Sequence, residues 1–429
     1  MLKFSPQFLF EKYVIFSFIM VLILPLQIGP DRPIVIFPEY VRLFLILGLF
    51  LLSILLFGKK ASLDKSLCNI PLGALFLLLV WAAFTSILAE QYFFDVIRRS
   101  FLAVGTSLLI LLSFYLYRPS VDVVYKLAFI FLITSTLVSL IGLGMSFFGD
   151  EYIPSGGGRA YQSLRLLGIN LTHEVHFARG LPRIASVTAN PNTLALYAAI
   201  GCIITLLLYC SKSIGFLISS AFFVINFSAL LHTFSRGAIL GLVIVFLIIF
   251  MMLGVKRFLY FIFVVLFASM LVMLLSGGYI VDAVQARMGQ GFHGRDIIWS
   301  AALDSILLNP FAGVGFGLER EAILFPAGID WTMHNAYLVV VSEIGLIGFF
   351  LFFIFMFSTC AIILRKITLY VGTFHGYMLI LLFSLIVFIM LRGLTATLIM
   401  RFVDVNIMLM FFIGCALFMR QQILKENVK

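Results

Sequence analysis

Charged side chains are scarce in this sequence, making up 11% of 429 residues, whereas a soluble globular domain carries roughly 25%. With 63% hydrophobic residues and a mean hydropathy of +1.16, there is too little polar surface to cover a water-soluble fold of this length. Strict alternation of polar and apolar residues is also missing, which argues against a transmembrane barrel. Cysteine is sparse and unpatterned. The five residues Cys68, Cys202, Cys210, Cys360 and Cys415 lie in or beside apolar segments, and none shows Cys-x-x-Cys spacing. A structural zinc site and a disulfide framework are therefore not expected. The first apolar segment, about 13–27, lacks a small-residue cleavage site after it. Gly29-Pro30-Asp31-Arg32-Pro33 comes next instead, so the segment reads as a retained helix and not as a signal peptide.

What the chain does have is a succession of apolar runs of about 16 to 25 residues, the length that carries a helix across a ~30 Å hydrocarbon core. Helices are expected at about 13–28, 40–57, 70–89, 100–117, 124–148, 193–210, 213–231, 238–253, 258–276, 336–363, 374–392 and 404–419. The fold class is thus an all-α polytopic membrane protein of about twelve transmembrane helices, forming a single transmembrane domain over 1–429. Two longer polar stretches interrupt the pattern, 149–192 and 277–335, the second partly helical. Both follow odd-numbered helices, so they emerge on one side.

The two cations divide between the sides. With the N-terminus inside, all eleven lysines (Lys3, Lys12, Lys59, Lys60, Lys65, Lys126, Lys212, Lys256, Lys366, Lys425 and Lys429) fall on inside segments. Cytoplasmic loops collect positive charge, so both termini are expected in the cytoplasm and the two long loops outside. The net charge of +10 is then accounted for by a basic cytoplasmic face, with no nucleic-acid partner. Most of the arginine lies on the outer side: Arg32, Arg98, Arg99, Arg159, Arg165, Arg179, Arg183, Arg236, Arg287, Arg295, Arg320, Arg392 and Arg401. A guanidinium fork holds phosphate or carboxylate bidentately where an ammonium does not, which points to an anionic ligand on that face. The competing explanation is pairing with local acids such as Asp150, Glu151, Asp282 and Asp296, or with lipid phosphates.

Several residues on the outer side have the chemistry for a site. His334, in Trp331-Thr332-Met333-His334-Asn335-Ala336-Tyr337-Leu338, sits where the second long loop enters a helix, and an imidazole there can accept a proton near neutral pH. Asn335 or Asn309 is placed to orient it or to contact a substrate. Glu343 comes nine residues later, on the other helix face and ~13 Å deeper. It is expected to form a structural ion pair with Arg392, because an acid at that depth needs a partner. Three arginine motifs frame the same region. Leu181-Pro182-Arg183-Ile184 precedes Ala189-Asn190-Pro191-Asn192. Thr233-Phe234-Ser235-Arg236-Gly237-Ala238 makes an outer turn between two helices. Gly294-Arg295-Asp296 opens an amphipathic stretch that ends at Asn309-Pro310. The glycines of Gly313-Val314-Gly315-Phe316-Gly317 have no strand before them, so they read as close loop packing and not as a dinucleotide fingerprint. His173-Glu174-Val175-His176 would place two imidazoles on one face if it were helical, but no third ligand is evident and no metal is expected. His232 lies close to Arg236 in sequence.

Taken in order and on one side of the membrane, these motifs resemble the O-antigen ligase and O-antigen polymerase family of bacterial envelope enzymes. The matching features are Arg183 with Ala-Asn-Pro-Asn, Ser235-Arg236-Gly237-Ala238, Gly294-Arg295-Asp296, Asn309-Pro310 with Gly313 to Gly317, and His334-Asn335-Ala336-Tyr337 with Glu343 and Gly345. The resemblance covers roughly residues 180 to 365 by motif and the rest by topology. It implies a GT-C-like glycosyltransferase in the bacterial inner membrane that takes a glycan from an undecaprenyl diphosphate carrier at the periplasmic face, without a nucleotide sugar, cofactor or required metal. It further implies that Arg236 and Arg295 bind the diphosphate, that His334 is the general base, and that Arg183 is another phosphate contact, with Asn335 and Tyr337 on the substrate side. The acceptor would be lipid A–core for a ligase or the growing glycan for a polymerase. A polysaccharide or lipid-carrier transporter is the reading from a different class, and it predicts interrupted helices with ionisable groups near the midplane.

Overall fold

The computed structural model describes residues 5–23, 38–58, 69–149, 153–156, 159–166, 169–178, 181–188, 190–254, 295–330, 332–397, 399–401 and 404–420. The first half of the chain forms α1 (Pro6–Ile23), α2 (Pro38–Phe57), α3 (Asn69–Phe84), α4 (Phe93–Ser100), α5 (Thr106–Tyr117), α6 (Val121–Phe148) and α7 (Pro191–Cys210). It continues with α8 (Phe216–His232), α9 (Arg236–Leu253), α10 (Arg295–Leu308), α11 (Ala336–Leu369), α12 (Phe374–Gly393) and α13 (Asp404–Phe418). Eight helices among the described residues are long and apolar enough to cross a bilayer, with α4 and α5 joined into one, and α8 and α13 are shorter apolar helices. The predicted apolar segments are helical over most of their described residues; 24–28 of the first and the whole of 258–276 lie outside the described residues.

The boundaries differ from the sequence expectation where a cap outweighs hydropathy. The first helix begins at Pro6 instead of near residue 13. Pro6 at the first helical position is preset for helix, and the Ser5 hydroxyl accepts from Phe8 N at 3.2 Å, so the polar Glu11 and Lys12 fall inside the helix. Similarly, Ser120 caps α6 by accepting from Val123 N at 3.4 Å, three residues ahead of the apolar run. The segment expected at 100–117 starts at Phe93, with a π-helical turn over Phe101–Gly105 between α4 and α5. That start places Arg98 and Arg99 within a helix.

The polar stretch 149–192 is not all loop. It holds a four-stranded antiparallel meander, β1 (Ile153–Gly156), β2 (Arg159–Leu166), β3 (Ile169–Ala178) and β4 (Leu181–Arg183), in the order β1-β2-β3-β4. In the β2–β3 register, Gln162 faces His173 and Tyr161 faces Glu174. His173 and His176 lie on a strand, so the helical spacing argument for that pair does not apply. The meander rests on the end of α6, where the bare backbone of Gly149 meets the buried Gln162 amide.

Helices α7, α12 and α13 form the buried centre, and α12 packs against α7, α9, α11 and α13. Small polar groups knit the core where helices approach closely, as they do in lipid-embedded bundles. Asn226 on α8 donates to Thr136 Oγ1 at 2.8 Å and accepts from Ser139 at 3.1 Å, both on α6. Asn406 on α13 donates to Ser107 on α5 at 3.2 Å.

The feature that shapes the functional face is a break in α11. Gly345 has φ +66°, which splits the helix and frees backbone groups on both sides. Those groups are satisfied by the incoming loop. Val314 N donates to Ser342 O at 3.0 Å, Gly315 N to Glu343 O at 2.9 Å, and Leu346 N to Pro310 O at 2.8 Å. The indole of Trp81 on α3 donates to Ile344 O at 2.8 Å. Broken helices survive in membranes when protein re-satisfies the exposed backbone in this way. The glycine run permits the approach: Gly313, Gly315 and Gly317 all have positive φ, and a Cβ on Gly313 would overlap the Glu343 backbone. Close loop packing, expected from these glycines, is what they provide.

Gly345→Ala should therefore lower stability by about 1–3 kcal/mol, the cost of holding a non-glycine residue in this conformation, because its Cβ also overlaps the Phe311 carbonyl. Gly73→Ala, on a helix with nothing within 4 Å of the new Cβ, should leave it unchanged or raise it. Thermal unfolding in detergent compares the two, and equal midpoints would contradict this account of the break.

Candidate functional site

Residues from distant parts of the chain meet where α9, α10 and α11 begin and α12 ends. The turn before α9 is tied to the segment preceding α7. Arg183 Nε donates to Thr233 O at 2.8 Å and its Nη2 approaches Asn192 Oδ1 at 3.4 Å, while Ser235 Oγ donates to the same Asn192 oxygen at 3.0 Å. Asn190 caps α7, accepting from Asn192 N and Thr193 N at 2.8 and 3.1 Å. The Arg183 and Ser-Arg-Gly motifs, separate in sequence, are thus one hydrogen-bonded unit with Arg236 at its exposed edge. The next residue, Gly237, leaves room against α12, because a Cβ there would crowd the Arg392 guanidinium and the Thr395 hydroxyl. One residue beyond Arg392, Gly393 fits closely against Ala336 and Tyr337 at the start of α11.

His334 lies just before that start, half-buried, with φ +51°. Left-handed backbone is uncommon for a residue other than glycine, though histidine tolerates it better than most. Phe234, before the Ser235-Arg236 turn, and Met400, before Arg401, share it at φ 49° and 60°. Such conformations persist only where the surroundings over-determine them, and here the surroundings of Met333 do so. Met333 N donates to Glu319, Met333 O accepts from the Trp299 indole of α10 at 3.2 Å, and its side chain is buried. Both backbone groups of the residue preceding His334 are therefore clamped. Thr332 Oγ1 lies 3.4–3.5 Å from the two ring nitrogens, too long to select a tautomer.

The clamp is anchored by a buried charge cluster. Arg401 donates to Glu319 Oε2 at 2.9 Å and to Glu343 Oε1 at 2.7 Å, and Glu343 also accepts from Glu319 N at 2.9 Å. Burial opposes the Arg401 charge, but the Glu343 and Glu319 carboxylates outweigh it and raise the guanidinium above its ordinary pKa. A second bridge runs from Arg99 to Glu321 at 2.7 Å, and Arg99 also donates to Gly317 O. The sequence expectation that Glu343 pairs with Arg392 is corrected here, since its partner is Arg401. Hydropathy put Arg392 on the neighbouring helix at a matching depth, but the connection after α12 folds back and brings Arg401 to the carboxylate. Glu319 and Arg401 had no sequence signal beyond being charges in mostly apolar surroundings.

The acid-pairing explanation accounts for Arg98 with Asp95, Arg99 with Glu321, Arg320 with Asp330 and Arg401 with two glutamates. It does not reach Arg295 or Arg392, neither of which forms an ion pair among the described residues. Burial and the charge of Arg236 depress the pKa of Arg295, and burial followed by the charge of Arg295 lowers His334 below the usual 6.5, with Glu319 opposing. Arg236, Arg295 and His334 are thus one electrostatically coupled group assembled from three helix starts, whose N-terminal dipole ends add positive potential. His334 is held neutral near pH 7, as a proton acceptor must be.

The remaining candidates take structural bonds. Asn335 Oδ1 caps α11, accepting from Tyr337 N and Leu338 N at 3.0 and 3.2 Å. The Tyr337 hydroxyl donates to Met390 O of α12 at 2.8 Å. His232 is buried, its Nδ1 2.8 Å from Ser228 O and its ring edge-on to Phe147. Among the described residues no group of three metal-ligating side chains occurs.

Comparison with known families gives a match over residues 221–353 to the family model described as O-antigen ligase. The matched region runs from within α8 to within α11, so it takes in Arg236, Arg295, His334, Asn335 and Tyr337 and leaves Arg183, Arg392 and Arg401 outside. No curated protein matches the chain.

Arg401→Gln should destabilise the protein by about 3–5 kcal/mol, because it strands two buried carboxylates without their cation. Replacing all three charged groups together, Arg401→Met with Glu319→Gln and Glu343→Gln, should recover part of that loss. A triple variant less stable than Arg401→Gln alone, in chemical denaturation of detergent-solubilised protein, would contradict this reading of the cluster.

Proposed function

Since residues 221–353 match the family model described as O-antigen ligase, we propose that the chain transfers a glycan from undecaprenyl diphosphate to a lipid A–core acceptor at the periplasmic face of the inner membrane. The observation that supports this reading is that Arg236 and Arg295 open two helices and the half-buried His334 stands before a third, with Trp299 of α10 donating to Met333 O beside the imidazole. In the reaction, the acceptor hydroxyl forms a bond to the anomeric carbon while the bond from that carbon to the diphosphate oxygen breaks. The electron pair leaves with the diphosphate and the hydroxyl proton passes to His334. Negative charge grows on the leaving group, so arginines fixed beside it stabilise the transition state more than the ground state. Arg183 lends a further phosphate contact, while Asn335 and Tyr337 hold the entry of α11 against the acceptor. The orientation rests on the segregation of lysine from arginine.

The polymerase reading shares this donor chemistry and differs only in its acceptor. The transporter reading draws support from the break at Gly345. Against it, the broken turn is filled by the 310–315 loop and its acid is bonded to Arg401, which leaves no unpaired acid at the break among the described residues.

Purified protein in vesicles, given lipid-linked glycan and lipid A–core, should form a glycosidic product with no gradient across the bilayer. Arg236→Ala and Arg295→Ala should each lower kcat/KM by about 10²–10³, and His334→Ala by about 10²–10⁴. In cells lacking the gene, loss of ligase leaves bare core with polymer on the carrier, and loss of polymerase leaves core with a single unit. Wild-type transfer by all three variants would remove the mechanism. The neutral imidazole is the base, so kcat/KM should rise with pH through a midpoint below the usual 6.5. Arg295→Gln removes a repelling cation and should move that midpoint upward; a midpoint moving down would sink the assignment of His334.

A further inference from the structure

Once Glu343 is assigned to Arg401, Arg392 is left without the carboxylate expected for it. It stands in the last turn of α12 with 2% of its surface exposed. Its Nη1 donates to Thr395 Oγ1 at 2.8 Å, and its Nε is buried with no acceptor among the described residues. A guanidinium removed from water normally finds an acid, and leaving one uncompensated is strongly destabilising. Ionisable side chains kept in a membrane helix mark function more often than packing.

Its surroundings indicate which ligand it serves. The backbone of Gly237, next to Arg236, lies bare against Nη1, so a Cβ there would come within 2.7 Å of that nitrogen. A Cβ on the adjoining Gly393 would lie 3.4 Å from the Tyr337 ring and 3.6 Å from Ala336, three and two residues beyond His334. The charge of Arg295 also acts on Arg392. Arg392 thus lies between the Arg236 turn and the His334 turn, at the buried end of the same group.

We propose that Arg392 is an additional ligand of the diphosphate, reaching its phosphoryl oxygens from the membrane side while Arg236 and Arg295 hold it from the loop side. The inference rests on the glycosyltransferase reading of the same site. A diphosphate leaving group acquires a further negative charge as it departs, and a desolvated guanidinium at that point interacts with it more strongly than one in water. The match to the family model ends at residue 353, so this residue lies beyond the region that carries the likeness.

The test uses inorganic pyrophosphate as the leaving-group probe, titrated against full-length protein in detergent by calorimetry. Folded fraction is checked separately by size exclusion and by unfolding midpoint without ligand. Arg392→Gln is expected to weaken pyrophosphate binding at least about tenfold, and Arg392→Lys several-fold, since lysine keeps the charge without the fork. Thr395→Val, which removes only the Nη1 anchor, should weaken it less than Arg392→Gln. If Arg392→Gln does not fold, the Arg392→Lys value decides. Unchanged affinity in the Arg392 variants, with Arg236→Ala and Arg295→Ala both weakened, overturns this inference alone. Wild-type protein that binds no pyrophosphate, or that binds it equally well without Arg236 and Arg295, overturns the diphosphate site as a whole.

Discussion

One guanidinium organises the functional face. Arg401 holds Glu319 from the long loop and Glu343 from α11, and buried charges of this kind tolerate no loss of partner. The loop is therefore fixed to the membrane helix at the point where that helix breaks. Glu319 transmits the constraint to Met333 through its peptide N–H, and Trp299 closes the other side. His334 is the next residue in the chain, so the imidazole's position derives from a charge cluster it does not itself join. The glycine run completes the arrangement by lending its backbone to the opened turn of α11.

The arginines divide into two populations with opposite logic. One population is neutralised locally by carboxylates and serves as struts, as with Arg99 to Glu321 and Arg401 to the two glutamates. The other, Arg295 and Arg392, forms no ion pair among the described residues, and the charge of Arg295 acts on both His334 and Arg392. Burial, followed by the charge of Arg295, holds the His334 imidazole below its ordinary pKa.

Much of this was legible in the linear chain. Hydropathy located most of the described transmembrane helices to within a few residues, except where Ser5-Pro6 started the first helix ahead of its apolar run, where α4 began at Phe93 and where α11 ran on to Leu369. The motifs around Arg183, Arg236, Arg295 and His334 were readable as chemistry because guanidinium on a face that topology leaves neutral calls for an explanation. Other features became visible only in the folded chain. His173 and His176 would share a face only in a helix, and the segment pairs as a β-meander because its antiparallel partners are adjacent in sequence. Asn335 and Tyr337, expected on the substrate side, also have bonds that the sequence did not show: the Asn335 amide oxygen caps α11 and the Tyr337 hydroxyl ties it to α12.

The order of residues settles that this is a polytopic membrane protein and roughly where its helices run, because burial in lipid is a local property of each segment. Which charge meets which is settled by the folded chain. Glu343 found Arg401 and not Arg392 because the chain folds back after α12, and ion-pair choice depends on ångström-scale distances between segments that hydropathy cannot rank. The same reversal left Arg392 buried beside Gly237, and brought helix starts far apart in sequence to a common point.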